Sequence, residues 1–281
     1  LEAYAAKIAA ERPLTARTLE RYLLLADDLA GLTAKAVLTP SIDLPGASDL
    51  VLFVDQTPFN VSMAVDNRGT RFVGPFQSSF TATFNSLLGM HESTSLRAIF
   101  ASQSEELRFF QGSHTEVLGS EGVKISMSYS LSRSRPGFTF KTSEGTNIES
   151  ESQELIFRLS YPVIRTRSEN LEINTSFTWT KSLTDFAFDA LFDDRLRILR
   201  AGLAYDFVDR FRGINLIAFE LSQGLDILNE STSTGNADVD NPTLSRILGR
   251  SDFTKVTADL SRLQRLAPGL TLLSAATGQY S

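Results

Sequence analysis

The stretch KISMSYSLSRS, Lys124 to Ser134, alternates without a slip. Ile125, Met127, Tyr129 and Leu131 share one parity, and Ser126, Ser128, Ser130, Ser132 and Ser134 share the other. Successive side chains of a strand point to opposite faces, so this stretch has one apolar face and one of small uncharged polar groups. One such strand fits a soluble β-sandwich, with its apolar side inward and its serines in water. The recurrence of the pattern is what constrains the chain. From Pro58 onward helix signals nearly vanish and about eleven strand-like runs follow, from FNVSMAVDN to LTLLSAATGQYS.

Several of these runs are near ten residues, the roughly 9–11 that a tilted strand needs to cross a bilayer, against about 5–6 for an average strand. Their polar faces are mainly Ser, Thr, Asn and Gln, with isolated charges such as Glu154 and Arg158. A soluble sandwich would carry Lys and Glu there and guard its edges with charge. The other face carries Phe76, Phe80, Phe84, Tyr129, Phe157, Tyr161, Phe177 and Trp179, which resemble the aromatic girdles of membrane barrels. Short links such as RSEN (Arg167–Asn170) contrast with the polar stretch Asn229–Ser251, as on the two rims of such a barrel. Together the strands favour an antiparallel transmembrane β-barrel over a soluble β-sandwich binding module. No apolar run is long enough for a transmembrane helix, a fact that leaves a barrel open.

The first quarter reads differently. EAYAAKIAAER (Glu2–Arg12) is Ala-rich and favours helix, and PLTARTLERYLLLADDL (Pro13–Leu29) carries Leu19, Leu23 and Leu24 on a helical stripe ahead of Gly31. Two strand-like runs follow, Leu32–Pro40 and Ser48–Gln56. The order helix, helix, strand, strand describes a small α+β unit over residues 1–57, ahead of a β region over 58–281.

Catalytic and metal-binding patterns are weak. The net charge of −6 gives no basic footprint for nucleic acid, and with 0 Cys there is no disulfide or thiolate metal site. His91 and His114, the only histidines, read as solvated loop residues. GSEG (Gly119–Gly122) lacks the spacing of a nucleophile elbow and reads as a hairpin turn. NADVDN (Asn236–Asn241) lacks the glycine and distal Glu of a calcium loop and reads as solvated surface. The expectation is a protein that is not an enzyme and uses no cofactor or metal.

RPLTARTLERYLLLADDLAGL (Arg12–Leu32), VLTPS and SDLVLFVDQTPF resemble the last periplasmic POTRA module of two-partner-secretion transporters of the Omp85 superfamily, the haemolysin activation/secretion family. VDNRGTRFVGPFQ (Val65–Gln77), NSLLGMHESTSL (Asn85–Leu96), Leu107–Gly137, RLRILRAGLAYDFVDRF (Arg195–Phe211), LSQGLDIL (Leu221–Leu228) and the closing GQYS resemble its barrel. The resemblance implies a sixteen-stranded outer-membrane barrel, of which about eleven strands are expected here, behind a POTRA module in the periplasm that lacks its first strand. It implies export of an unfolded partner polypeptide of adhesin or haemolysin type, contact with outer-membrane lipid, and insertion by the barrel-assembly machinery. The chain itself is expected to be a fragment of the longer transporter. An alternative within the superfamily is an assembly factor that inserts other barrels.

Two sets of site residues follow from that resemblance. An extended substrate could add along the edge of the second strand-like run at Asp49, Leu50, Leu52, Val54 and Asp55, or lie in the groove between that run and the Pro13–Leu29 helix. The plainer reading packs Leu50, Leu52 and Val54 under the helices. The pore would be lined by Thr81, Thr83, Asn85, Ser126, Ser128, Ser130, Ser132, Glu154 and Arg158, with the two charged residues pairing with a plug or loop or simply hydrating the interior.

Overall fold

The helical stripe and the alternating runs become separate layers in the computed structural model, which describes residues 1–42, 46–137, 148–187, 189–228, 230–231, 244–246 and 249–281. The Ala-rich segment forms α1 (Glu2–Ala10), and α2 (Ala16–Asp27) follows. Thr15 caps α2, its hydroxyl accepting from the Thr18 N–H at 3.2 Å. Gly31, at φ +67°, turns the chain into β1 (Leu32–Pro40), which pairs antiparallel with β2 (Ser48–Gln56). Tyr4, Leu25, Ala26, Leu29 and Leu32 form the buried core of this module, and Val117 from the next domain packs against it.

The rest is one sheet. β3 (Phe59–Asp66), β4 (Gln77–Asn85), β5 (Ser93–Ala101), β6 (Arg108–Leu118), β7 (Val123–Ser134) and β8 (Ile148–Arg165) lead into β9 (Glu169–Phe186), β10 (Asp189–Val208), β11 (Ile214–Gly224), β12 (Thr254–Ala267) and β13 (Leu270–Tyr280). These 11 strands form an antiparallel meander in chain order, and β3 and β13 are its unpaired edges. Among the described residues no second sheet packs on it, which overturns the sandwich alternative. His114 lies within β6, not in a loop as its sequence context suggested. GSEG is the β6–β7 turn, with Gly119 and Gly122 at φ +69° and +79°. The NADVDN segment lies outside the described residues.

The two ends of the sheet differ. Short turns at Gly119–Gly122, Thr166–Ser168, Asp209–Gly213 and Pro268–Gly269 occupy the end that carries the helical module. β8, β9 and β10 reach 18, 18 and 20 residues; at the far end β10 runs on from Ile198 to Asp189 beyond β11, and β8 passes β7 by Ile148 and Glu149.

The module is fastened to the short-turn rim by polar contacts around one carboxylate. Glu121 accepts from Lys7 Nζ at 2.9 Å and from the Tyr22 hydroxyl at 3.1 Å, with Arg21 Nη2 at 3.5 Å. Beyond Ser160, β8 has no partner on its β7 side, and a bulge interrupts its β9 ladder between Pro162 and Ile164. A proline cannot donate to a ladder, so it is tolerated at such a bulge. Arg21 Nη1 takes the carbonyls of Pro162 and Val163, each at 3.1 Å. Arg165 adds a two-pronged pair to Asp28 at 2.8 and 2.7 Å. Thr57 closes the joint, donating its N–H to the Gly31 carbonyl at 2.7 Å and accepting from Asn85 Nδ2 at 3.0 Å.

Two predictions follow from this joint. A side chain at Gly122 would place its Cβ 2.4 Å from Leu25 Cδ2 and 2.9 Å from Pro162 Cγ. Gly122→Ala should therefore weaken docking by about 1–3 kcal/mol, read as faster proteolysis between α2 and β3 while the large sheet stays protected. Burial raises the pKa of Glu121, but hydrogen bonds from Lys7 and Tyr22 and the nearby cations outweigh it and leave the pKa below the ordinary value. A carboxyl depressed in the folded state stabilises above its unfolded pKa, about 4.3, and loses that contribution as pH falls through its folded value. Docking should thus loosen on acidification, and Glu121→Gln should remove that pH dependence.

Candidate functional site

Strand pairing decides which side chains share a face. Directly paired residues run across the sheet in rows, one of which is Thr83, Ser95, Ser113, Ser128, Ile156, Thr178 and Ile198. The adjacent same-face row toward the module holds Asn85, Ser126, Arg158, Ser176, Arg200, Ser222 and Lys255. The adjacent same-face row away from it holds Thr81, Ser130 and Glu154, and Ser132 lies in the next. All the residues expected to line a pore therefore occupy one face.

That face is polar and crowded. Ser176, Thr178 and Ser222 are 5%, 2% and 1% exposed although no second sheet covers them among the described residues, as on the concave side of a curled sheet. Hydroxyls bridge neighbouring strands, with Thr83 to Ser95 at 3.1 Å and Ser93 to Asn85 at 3.1 Å. Arg200 donates to Thr178 Oγ1 at 2.6 Å and pairs with Glu220 at 3.5 Å, and Ser222 also donates to Glu220, at 3.0 Å. Each of these groups is satisfied by its neighbours, so the wall keeps a fixed shape without demanding a ligand. Arg158 and Glu154 form no ion pair among the described residues. Asn85 lies on the same face but is committed to Thr57 and Ser93 at the module joint.

The opposite face is apolar and bare. Met127 is 45% exposed, Phe157 42%, Leu199 45%, Phe219 47% and Leu260 52%. A contiguous apolar surface of this extent is far beyond what a soluble monomer leaves in water. His114 lies on this side, paired through its Nδ1 with Thr94 Oγ1 at 2.9 Å. The sequence reading missed this pair. The signal was present in the parity of His114 with Phe110, which β6 had to carry.

The residues proposed from sequence as a substrate edge all fall on β2. Leu50, Leu52 and Val54 pair with Leu38, Ala36 and Ala34, and Ala34 packs against the helical core. These three side chains therefore share the helix side, with Leu50 and Leu52 half-buried. Asp49 and Asp55 share the other side with Val51 and Phe53, which are exposed. β2 pairs with β1 alone, so its other edge is unpaired among the described residues.

No curated protein matches the chain by sequence. Among solved structures, CdiB from Escherichia coli superposes with a TM-score of 0.75 at 16% identity, covering 99% of this chain and 51% of its own. CdiB from Acinetobacter baumannii gives 0.64 at 14% identity, over 95% of this chain and 47% of its own. The chain thus spans about half the length of either protein, and at these identities the likeness is one of fold. The profile of the haemolysin secretion/activation proteins ShlB/FhaC/HecB matches residues 46–281, well over half of the chain. With its continuous antiparallel sheet, polar on one face and bare apolar on the other, the chain belongs to this family of outer-membrane two-partner-secretion proteins of the Omp85 superfamily.

Proposed function

We propose that the chain is part of a translocator that exports an unfolded partner polypeptide through a β-barrel pore. Residues 1–57 form a POTRA module in the periplasm, and residues 58–281 form part of a barrel completed to sixteen strands in the whole transporter. The observation that carries this reading is the polar face, whose rows cross β4 to β12 mainly on small hydroxyl and amide side chains, opposite an apolar face that no described residue covers. Small uncharged donors and acceptors can solvate a passing backbone without gripping it. Arg158 and Glu154 supply sparse charges at that wall. The free β2 edge, flanked by Asp49 and Asp55, offers main-chain hydrogen bonds to an extended segment, which gives affinity with little demand on sequence. Folding of the partner outside the cell supplies the driving force.

The chain has 0 Cys, so single cysteines report cleanly on each face. In the full-length protein in outer membranes, Ser128→Cys should react with a charged, membrane-impermeant maleimide, and Met127→Cys should not until detergent is added. Equal labelling of both would overturn the assignment of faces. For the capture step, photo-crosslinkers at Asp49 and Asp55 should trap a partner held in transit. Continued secretion with no adduct at either position would exclude the β2 edge.

A further inference from the structure

The turn between β4 and β5 closes its own polar groups and leaves its apolar ones bare. We propose that this turn, Ser86 to Glu92, is a lipid anchor whose tip enters the membrane leaflet on the side of the helical module. The inference rests on the reading above that the outward face meets lipid.

The construction starts at one carboxylate. Glu92 is 1% exposed, and takes the Leu88 N–H on one oxygen at 2.6 Å and the Met90 N–H on the other at 3.1 Å. The Ser86 N–H reaches the Glu92 carbonyl at 2.7 Å, and the Gly89 N–H returns to the Ser86 carbonyl at 3.2 Å. His91 donates its N–H to Ser86 Oγ at 3.3 Å. The backbone donors of Ser86, Leu88, Gly89, Met90 and His91 thus all end inside the turn. Ser86 and His91 stand at φ +58° and +61°, a region that residues other than glycine seldom adopt. The carboxylate holds the turn in a shape that the chain would otherwise leave.

What this closed turn presents is apolar. Leu87, Leu88 and Met90 are 65%, 69% and 48% exposed. The next turn along the rim, GSEG, is polar by contrast and is clasped to the module through Glu121.

Parity gives the side on which the tip lies. Glu92 shares the parity of Thr94, which pairs with His114 on the outward face, so the loop wrapped around its carboxylate lies on that face. Asn85 and Ser93, at the base, face the polar side. Glu116, one residue past the Thr115 that pairs with Ser93, faces outward beside the base. The row that it begins continues through Ile125 and Leu159, both 43% exposed. The tip therefore continues the apolar face toward the rim. A carboxylate at Glu116 belongs with headgroups, which sets the anchor at the boundary between headgroup and acyl chain.

Water and hydrocarbon make opposite demands on such a turn. In water an open N–H is hydrated without cost, whereas at the acyl boundary it is better paired inside the protein. A turn that pairs its donors and bares two leucines and a methionine answers the second demand. A polypeptide in transit would be met on the polar face, from which this loop points away.

The test uses the full-length protein in nanodiscs, with a nitroxide on a single cysteine. Electron paramagnetic resonance compares its collisions with oxygen, which concentrates in the acyl layer, and with a water-soluble nickel chelate. Met127→Cys checks the membrane reading, since dominance of the chelate there would mean that the outward face is not in lipid. With Met127→Cys in lipid, oxygen should also dominate at Leu87→Cys and Leu88→Cys. Glu92→Gln exchanges one acceptor for a donor that opposes a turn N–H. It should move the Leu88→Cys label toward the chelate and leave the Met127→Cys label unchanged. Chelate dominance at Leu88→Cys with Glu92 in place, or an unmoved label in the Glu92→Gln protein, would overturn the proposal. Few collisions with either reagent at Leu88→Cys would mean that a protein segment covers the tip, and would overturn lipid as its occupant.

Discussion

An apolar surface that no other described part of the chain covers is the constraint from which the rest follows. Met127, Phe157, Leu199 and Phe219 lie bare on one side of a single sheet, and the described residues hold no second layer to pack on them. In water such a surface would drive aggregation, whereas in hydrocarbon it is the required exterior. Hydrocarbon in turn forbids unpaired backbone groups, so each strand must be laddered to its neighbours and the simple antiparallel meander is the economical order. The wet face is then left to small polar groups, which satisfy one another across strands as Thr83 and Ser95 do.

The helical module obeys different chemistry. Its own core is small, centred on Tyr4, Leu25 and Leu29, and it borrows Val117 from β6 of the large sheet to complete it. Polar clasps hold it in place. Glu121 gathers Lys7, Arg21 and Tyr22, while Arg165 grips Asp28. Exposed pairs of this kind contribute little singly. Here they converge on one turn whose Gly122 has no room for a side chain, so packing and charge fix the same register.

Much of this was legible in the sequence because a strand has a period of two. The parity of Ile125, Met127 and Tyr129 against the serines between them already sorts the two faces, and β1 and β2 match the expected runs end to end. The limits are physical too. The outer reaches of β8 to β10 carry Glu149, Glu151, Asp185, Asp193 and Asp194, and in sequence such charged stretches resemble loop. They are strands because their neighbours ladder them, which is a tertiary fact. The contacts of Arg21 with the Pro162 and Val163 carbonyls span more than a hundred positions and leave no local trace. The same holds for Arg197 over Trp179, a pair set by register alone.

The length of β8 has a mechanical consequence. It runs from Ile148 at the far rim to Arg165 beneath α2, with one bulge between Pro162 and Ile164, 18 residues and so roughly 60 Å of extended chain at about 3.3 Å each. Its lower end is gripped by Arg21 and Asp28, and its upper end passes β7 by only Ile148 and Glu149 and stays paired with β9. An extended, laddered strand resists stretching, so β8 acts as a strut. A pull on the outer tip and a tilt of the helical module are, along its axis, the same motion.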